Sequence, residues 1–439
     1  MIFMKKFEKA AKCYLMMTVV LFTLSGCGKE TLPNTYVEGS DFQYMQVDSA
    51  GEYTAVQQGE DGYYLRHGDY IYYLDELSGE IMPLCNRVDC LHDKETEEER
   101  KENCNAYVEN SSDNSRGIAY CNGYVYCLDG ATFLNIGETL TLYKISADGS
   151  KKEKVYQWAD DMFLIRWIVH RDVFYYVEKK YIEKESEEAE LISIVTLYAM
   201  DLTKAVPRPK VVYSVSSEEI IDPVIAHIKC YGNYLYFLFN GVKMMESDSS
   251  LQMFTTGFVY DIEKQELKEL GTLGMQEDEQ VSDIKFWKDK ILFKIVTGYD
   301  DDYFRPAMTY IANLDGTDEE VYVEDIMGHN YYSDGQYLIK TDSLMVFLAS
   351  LGLGYCDYDK EEGTYWVYDN NLDLVDSFVL PPEIHVIDAP RMGNAQEMYL
   401  LYDDAQEPEK WGVLRWDKSG IGSYGGGKFD VTVIPYGED

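Results

Sequence analysis

The sequence predicts an all-β protein, a β-propeller of seven four-stranded blades, with six or eight blades as alternative counts. One phrase recurs along the chain, an aromatic alternating strand that ends in a turn at an aspartate, as in YIYYLDELSGEIMPL. The turn aspartates are Asp75, Asp148, Asp201, Asp261, Asp315, Asp369 and Asp417. Neighbouring turn aspartates are 48 to 73 residues apart. A sustained period of about fifty residues is typical of stacked repeats.

A second recurring sequence motif precedes most of the turn aspartates. In IKCYGNYLYFLFNG and similar segments, a Gly or polar turn separates two aromatic or β-branched runs, which predicts a β-hairpin. Each repeat therefore supplies about four strands, the content of a propeller blade, whose apolar faces are buried only by stacking on neighbouring blades. A pair of β-sandwiches is the competing architecture, and the single sustained period favours the ring.

The composition agrees with aromatic strands joined by tight turns. The chain has 39 Tyr, 17 Phe and 6 Trp but only 11 Pro, a mixture that favours strands and turns. The formal net charge of −39 argues against nucleic acid as a partner, because a polyanion would be repelled. The charge-rich segments 94–103 and 178–190 are predicted to be short helices or solvated loops between strands.

The first residues predict a lipoprotein signal peptide over residues 1–26. Lysines precede an uncharged apolar run from Tyr14 to Leu24, which is too short to span a membrane. The run ends in the tetrapeptide LSGC, whose last residue is Cys27. This arrangement resembles a bacterial lipobox, so Cys27 is predicted to carry a lipid with acyl chains such as palmitate.

The lipid on Cys27 determines the predicted location of the protein. Two acyl chains on one residue hold a protein stably to a bilayer. Residues 27–43 contain Pro and Gly and are predicted to form a lipidated tether, and residues 44–439 to form the propeller. The chain is therefore predicted to be a lipid-anchored protein on the extracytoplasmic face of the cell membrane, with the membrane as a partner.

A cluster of cysteines and one histidine predicts a metal site. The ligands would be Cys85, Cys90, His92 and Cys104, in an insert over about residues 85–116. Three thiolates and an imidazole form a tetrahedral zinc set, and one structural zinc would order a long loop. A disulfide among the three cysteines is an equal alternative, because disulfides are natural in an exported chain, and free thiols are a lesser third alternative.

The other cysteines of the mature chain carry weaker signals. Cys121 and Cys127 flank a short hairpin in YCNGYVYC and are predicted either to pair with each other or to be small core residues. Cys230 and Cys356 lie in apolar strand segments and are predicted to belong to the core.

Together these motifs resemble a known group of proteins. The lipobox, the hairpins of the form YIYYLD, and PLCNRVDCLHD followed by CNAY are similar to Tyr-rich β-propeller lipoproteins of anaerobic Gram-positive bacteria, whose function is largely unestablished. The resemblance covers nearly the whole mature chain, and the C-x4-C-x-H-D element is its specific part. It implies a propeller of six to eight blades outside the membrane, and it implies no substrate.

No motif of the sequence predicts a catalytic residue. The chain has no nucleophile elbow, HExxH, Walker or dinucleotide-binding motif. The sequence therefore favours a non-catalytic binding or scaffold lipoprotein for a glycan, a peptide or a partner protein, without identifying ligand-binding residues. The alternative is a carbohydrate-active hydrolase or lyase with paired carboxylates at the propeller funnel, because such chemistry needs only two carboxylates.

Overall fold

The structure is a computed structural model. It describes residues 33–35, 37, 41, 56–109, 117–130, 140–158, 163–183, 191–217, 220–244, 251–270, 279–287, 289–297, 308–324, 330–333, 338–341, 364–368, 374–379, 384–386, 392–393, 397–404, 407, 410–417 and 430–437. The predicted signal peptide and Cys27 lie outside these ranges. Among the residues described, no helix is long and apolar enough to cross a membrane.

Within these ranges, consecutive strands pair antiparallel into seven sheets. Sheet 1 consists of β1 (Val56–Gln58), β2 (Gly62–His67), β3 (Tyr70–Asp75) and β4 (Ile81–Pro83), and sheet 2 of β5 (Ile118–Cys121), β6 (Tyr124–Asp129), β7 (Thr141–Ser146) and β8 (Lys152–Gln157). Sheet 3 consists of β9 (Phe163–His170), β10 (Val173–Glu183), β11 (Leu191–Asp201) and β12 (Pro209–Ser216), and sheet 4 of β13 (Ile221–Tyr231), β14 (Tyr234–Met244), β15 (Leu251–Asp261) and β16 (Glu266–Leu270).

The remaining three sheets follow the same order. Sheet 5 consists of β17 (Glu279–Trp287), β18 (Lys290–Thr297), β19 (Met308–Asn313) and β20 (Glu320–Glu324), and sheet 6 of β21 (Asn330–Ser333), β22 (Leu338–Thr341), β23 (Thr364–Tyr368) and β24 (Leu374–Val379). Sheet 7 consists of β25 (Ile384–Val386), β27 (Glu397–Asp404), β28 (Trp411–Asp417) and β29 (Asp430–Pro435), and β26 (Met392–Gly393) also pairs with β27. The predicted all-β class is confirmed.

Helix is scarce in the described part of the chain. A one-turn 3₁₀ helix spans His92–Lys94, and one short helix, α1, spans Glu98–Lys101. Both lie in or next to the charged segment 94–103, as predicted. The same prediction is wrong for residues 178–183, which belong to β10.

Strand pairing explains why β10 continues into a charged segment. Every residue of β10 from Val173 to Glu183 lies opposite a residue of β11. Glu178 is buried within the sheet, and its carboxylate forms an ion pair with the Lys180 ammonium at 2.8 Å. The ladder hydrogen bonds and this ion pair satisfy the polar groups, so the local charge does not end the strand.

Aromatic rings connect neighbouring sheets. Ring pairs that join consecutive sheets are Tyr64–Tyr120 at 5.2 Å, Trp158–Phe174 at 6.0 Å and Tyr213–Phe237 at 5.4 Å between centroids. Between sheets 4 and 5, the Tyr236 hydroxyl donates to the carbonyl of Leu314 at 2.6 Å. Such rings bury large apolar areas, so the Tyr-rich strands form the contacts between sheets.

The first sheet also packs against the last. The rings of Tyr63 in β2 and Tyr399 in β27 lie 3.8 Å apart between centroids. His67 stacks on Trp411 of β28 at 4.2 Å, and Tyr72 of β3 meets the same indole edge-on at 4.9 Å. The chain therefore returns to its first strands, as expected for repeats that stack in a ring.

Six of the seven predicted turn aspartates are described. Asp75, Asp201, Asp261 and Asp417 are the last residues of the third strands of their sheets, and Asp148 and Asp315 lie two residues after those strands. Five of these aspartates form the same kind of turn. Their carboxylates accept backbone N–H groups two or three residues later: Asp75 from Leu77 and Ser78, Asp148 from Ser150, Asp201 from Thr203, Asp261 from Glu263 and Lys264, and Asp315 from Thr317. This is the Asx turn that favours Asp at such positions. Asp369 lies outside the described residues.

The pH dependence of the Asp148 turn follows from its hydrogen bonds. The Ser146 hydroxyl donates to Asp148 at 2.6 Å and, with the Ser150 amide, lowers the pKa of the carboxyl from 3.8 to about 2. A lowered folded-state pKa stabilises the fold above the unfolded-state pKa, and this contribution is lost as pH falls toward the folded-state value. Asp148→Ala should therefore lower the urea midpoint slightly at pH 7.

The difference between wild type and Asp148→Ala should shrink as the pH falls from about 4 toward about 2. Urea unfolding at a series of pH values measures it. Asp148→Asn is the matched control, because its side-chain oxygen can still accept the turn hydrogen bonds but does not titrate. A difference that stays constant over this pH range would contradict the assignment.

A segment before β1 packs on the turn between β9 and β10. The buried carboxylate of Asp41 accepts hydrogen bonds from the Val37 amide at 2.7 Å and from the Arg171 guanidinium at 2.9 Å. The same guanidinium donates to the carbonyl of Thr35 at 3.1 Å. Part of the predicted tether, residues 27–43, is therefore held against sheet 3 by the Arg171–Asp41 ion pair and by the hydrogen bond from Arg171 to Thr35.

Candidate metal centre

The connection from β4 to β5 carries the predicted metal ligands. Cys85 lies two residues after β4, His92 opens the 3₁₀ turn, and Cys104 follows α1. Tight backbone turns precede two of the cysteines: the amide of Cys90 donates to Arg87 at 3.4 Å, and the amide of Cys104 donates to Lys101 at 2.8 Å. Short turns therefore bring the ligands together beside sheet 1.

Cys85, Cys90, His92 and Cys104 converge, as the sequence predicts. One ligand atom from each residue lies within 4.8 Å of the others, and all three cysteines are free thiols. His92 Nδ1 lies 3.7 Å from Cys104 Sγ. A tetrahedral zinc ion with bonds of about 2.3 Å separates its sulfur ligands by about 3.8 Å. The four donors therefore fit such an ion after small side-chain adjustments.

The Cys104 thiol must lose its proton before it can bind a metal ion. Burial raises the pKa of the Cys104 thiol, and the nearby sulfurs of Cys85 and Cys90 raise it further. The backbone N–H of Ala106 donates to the sulfur and lowers the pKa in part. A metal ion would stabilise the thiolate directly and release the proton. Metal affinity of this site should therefore increase with pH.

Backbone N–H groups already point at two of the sulfurs. The amide of His92 donates to Cys90 Sγ at 3.4 Å, and the Ala106 amide donates to Cys104 Sγ. In each case the donor lies two residues after the cysteine. Hydrogen bonds of this kind orient metal ligands and stabilise the charge of a thiolate.

A glycine of sheet 2 lets the insert approach closely. The Asn86 amide and the Asn105 side chain both donate to the carbonyl of Gly149, at 3.3 Å and 2.8 Å. Gly149 has φ of +68°, and a Cβ there would lie 2.8 Å from the amide nitrogen of Cys85. Only glycine combines this torsion with this distance at low cost.

Asp93 lies beside the predicted ligands and was not predicted from the sequence. Asp93 follows His92, and its carboxylate accepts hydrogen bonds from the hydroxyl of Tyr72 at 3.1 Å and from the hydroxyl of Tyr436. The carbonyl of His92 accepts a further bond from Tyr70 at 3.1 Å. In the sequence, only the aspartate of the CLHD element pointed to Asp93. Its partner Tyr436 lies 343 residues away, so no local motif could indicate the contact.

The other described cysteines lie outside the cluster. Cys121 and Cys127 are free thiols on adjacent strands, opposite Tyr124 and Ile118 respectively. Their predicted pairing is therefore absent from the structure. Cys127 and Cys230 are fully buried, as predicted for small core residues, and Cys356 lies outside the described residues.

The chain is similar to several solved structures, but no protein-family model and no curated protein matches it. Similar solved structures include the β-propeller domain of the Trilobed protease from Pyrococcus furiosus, with 12% identity, 69% of this chain and 80% of that chain covered, and a TM-score of 0.40. An uncharacterized protein from Listeria monocytogenes has 9% identity and a TM-score of 0.39, and the match covers 71% of this chain and 79% of that chain.

A polysaccharide lyase of family PL25, an ulvan lyase, is also similar. The identity is 9%, 92% of this chain and 97% of that chain are covered, and the TM-score is 0.47. Similarity at this level carries no argument about activity or ligand.

Proposed function

We propose that this chain is a lipid-anchored, extracytoplasmic β-propeller of seven blades that binds a glycan, a peptide or a partner protein without catalysis. We further propose that Cys85, Cys90, His92 and Cys104 hold one structural zinc ion. The proposed propeller is supported by the packing of sheet 1 on both sheet 2 and sheet 7. The proposed zinc site is supported by the convergence of four donor atoms within 4.8 Å.

The number of sheets supports seven blades. The strands form seven antiparallel sheets; sheets 1 to 6 contact one another in chain order, and ring contacts join sheet 7 to sheet 1. Closing the ring buries the outer faces of both terminal sheets, which would otherwise expose their aromatic residues. Loops at the two ends of such a ring are free to vary and to bind ligands.

The donor set supports zinc over a disulfide. A disulfide would use two of the three sulfurs and would give His92 no role beside them. Three sulfurs, one imidazole nitrogen and two N–H···S hydrogen bonds together match the closed set of a structural zinc site. Such a site leaves no open position for a reacting water, so zinc would stabilise the insert rather than catalyse a reaction.

The carbohydrate-active alternative would need accessible carboxylates near a Tyr or Arg. Among the described residues, Glu397 lies beside both types: one oxygen accepts from Tyr399 at 2.5 Å, and the other contacts Arg415. Glu397 is only 6% exposed. Because both oxygens are used inside the protein, Glu397 is better explained as the buried member of a structural ion pair between β27 and β28, whose Arg415 side chain is 36% exposed.

One variant tests the anchoring part of the proposal. Cys27→Ala should move the protein from the membrane fraction to the soluble fraction of cells, because no acyl chain can be attached. Immunoblotting of the fractions measures this result, and metabolic labelling with a palmitate analogue checks the wild type. Retention of the variant in membranes would overturn the anchoring proposal.

The released variant is also the reagent for the ligand question. Glycan and peptide arrays probed with soluble Cys27→Ala should give saturable binding without chemical change of the bound ligand. New reducing or unsaturated ends in the glycan after incubation would instead support the hydrolase or lyase alternative.

A further inference from the structure

We propose that the metal centre acts as a clasp that holds the first and last sheets together, through Asp93. This inference rests on the zinc site proposed above and adds a consequence that a merely local site would not have. The clasp consists of the four ligands, Asp93, and the hydroxyl groups of Tyr72 and Tyr436.

Asp93 lies between sheets 1 and 7. Its carboxylate accepts from Tyr72 of β3, in sheet 1, and from Tyr436, which directly follows β29 of sheet 7. The two tyrosine rings meet edge-on at 5.0 Å, and Tyr436 also packs on Trp411 at 4.8 Å. One carboxylate therefore bridges sheet 1 and the residue that follows sheet 7, across the joint between the two sheets.

A metal ion bound to His92 would fix the backbone beside Asp93. His92 has φ of +55°, a left-handed torsion that is unusual for a residue with a side chain. Coordination of the His92 ring, with Cys90 two residues before it, would hold this turn in place. The apolar side chains of Val88 and Leu91 on either side of Cys90 are exposed, so they do not anchor this turn.

The C-terminal end of the insert is held by sheet 2. Asn105 donates to Gly149, and Lys152 of β8 donates to the carbonyl of Tyr107 at 2.7 Å, so sheet 2 holds the end of the insert. The metal would link this fixed end, through Cys104, to the turn that carries Asp93. Sheets 7, 1 and 2 are then joined by one cross-linked loop.

Hydrogen exchange of the mature chain tests the clasp. Zinc-loaded protein is compared with protein stripped by a chelator, after the zinc content of both samples has been measured. Stripping should speed exchange about tenfold in peptides covering 430–437 and 70–75, as expected when hydrogen bonds to a charged acceptor are lost. A peptide covering β14 in sheet 4 should not change.

Two variants separate the clasp from the metal site itself. Asp93→Ala should still bind one zinc, yet its zinc-loaded form should show the faster exchange at 430–437. Stripping the zinc from this variant should add little. Glu97→Ala is the matched control, because it removes an exposed carboxylate of the same insert that forms an ion pair with Arg100 at 3.2 Å. It should behave as wild type.

The outcomes distinguish the two proposals. Bound zinc whose removal speeds exchange only within residues 85–107, and leaves 430–437 unchanged, overturns the clasp and leaves the zinc site standing. A purified chain that takes up no zinc overturns both. Bound zinc with faster exchange at 430–437 on stripping, and loss of that response in Asp93→Ala, supports the clasp.

Discussion

A chain that ends at residue 383, before β25, should lose its cooperative unfolding transition. The truncation removes sheet 7, and with it the rings of Tyr399 and Trp411 that cover Tyr63, His67 and Tyr72 of sheet 1. The ring would then be open and would expose the aromatic faces of two sheets. We expect loss of the near-ultraviolet circular dichroism of packed tyrosines, together with aggregation or rapid proteolysis.

A chain that ends at residue 437 is the control for this truncation. It keeps every strand of sheet 7 and Tyr436, so it should unfold at the same temperature as the full chain. A chain ending at residue 383 that keeps a sharp thermal transition near the wild-type temperature would contradict ring closure. It would favour sheets that stack in an open row.

Cys104→Ala should abolish zinc binding and remove the stabilisation that zinc provides. Zinc present at a thousandfold excess over its dissociation constant stabilises a folded chain by about 4 kcal/mol. Cys104 supplies one of the four donors and is buried in the insert. The thermal midpoint of wild type should fall by several degrees on chelation, whereas that of Cys104→Ala should start lower and respond little to chelator.

Cys127→Ala is the matched control, because it also removes a buried free thiol but lies in β6 of sheet 2, outside the cluster. Its cavity should cost about 1 kcal/mol, and its thermal midpoint should still fall when zinc is chelated. An equal response to chelator in both variants would show that zinc binds elsewhere.

The repeats were predictable from sequence because their signals are local. An Asx turn needs only an aspartate and the amides that follow it, so Asp75, Asp148 and Asp261 marked the same connection in three sheets. The four metal ligands were predictable for a similar reason, since they lie within 20 residues of sequence. Their convergence follows from short turns.

Other features depend on partners far along the chain. The strand over residues 178–183 was predicted as helix or loop because its charges hide the pairing with β11, where Glu178 lies opposite Thr196. The contact between Asp93 and Tyr436 joins residues 343 positions apart, and no local pattern indicates it. The features that the sequence did not predict are therefore those that depend on residues far apart along the chain.

Mass spectrometry of the purified mature chain tests the central claim, a Cys₃His zinc centre in a propeller, most directly. Under native conditions the chain should carry one zinc ion. After denaturation with chelator and alkylating reagent, Cys85, Cys90 and Cys104 should each be alkylated. A metal-free chain in which two of these cysteines resist alkylation until they are reduced would reveal a disulfide and contradict the account.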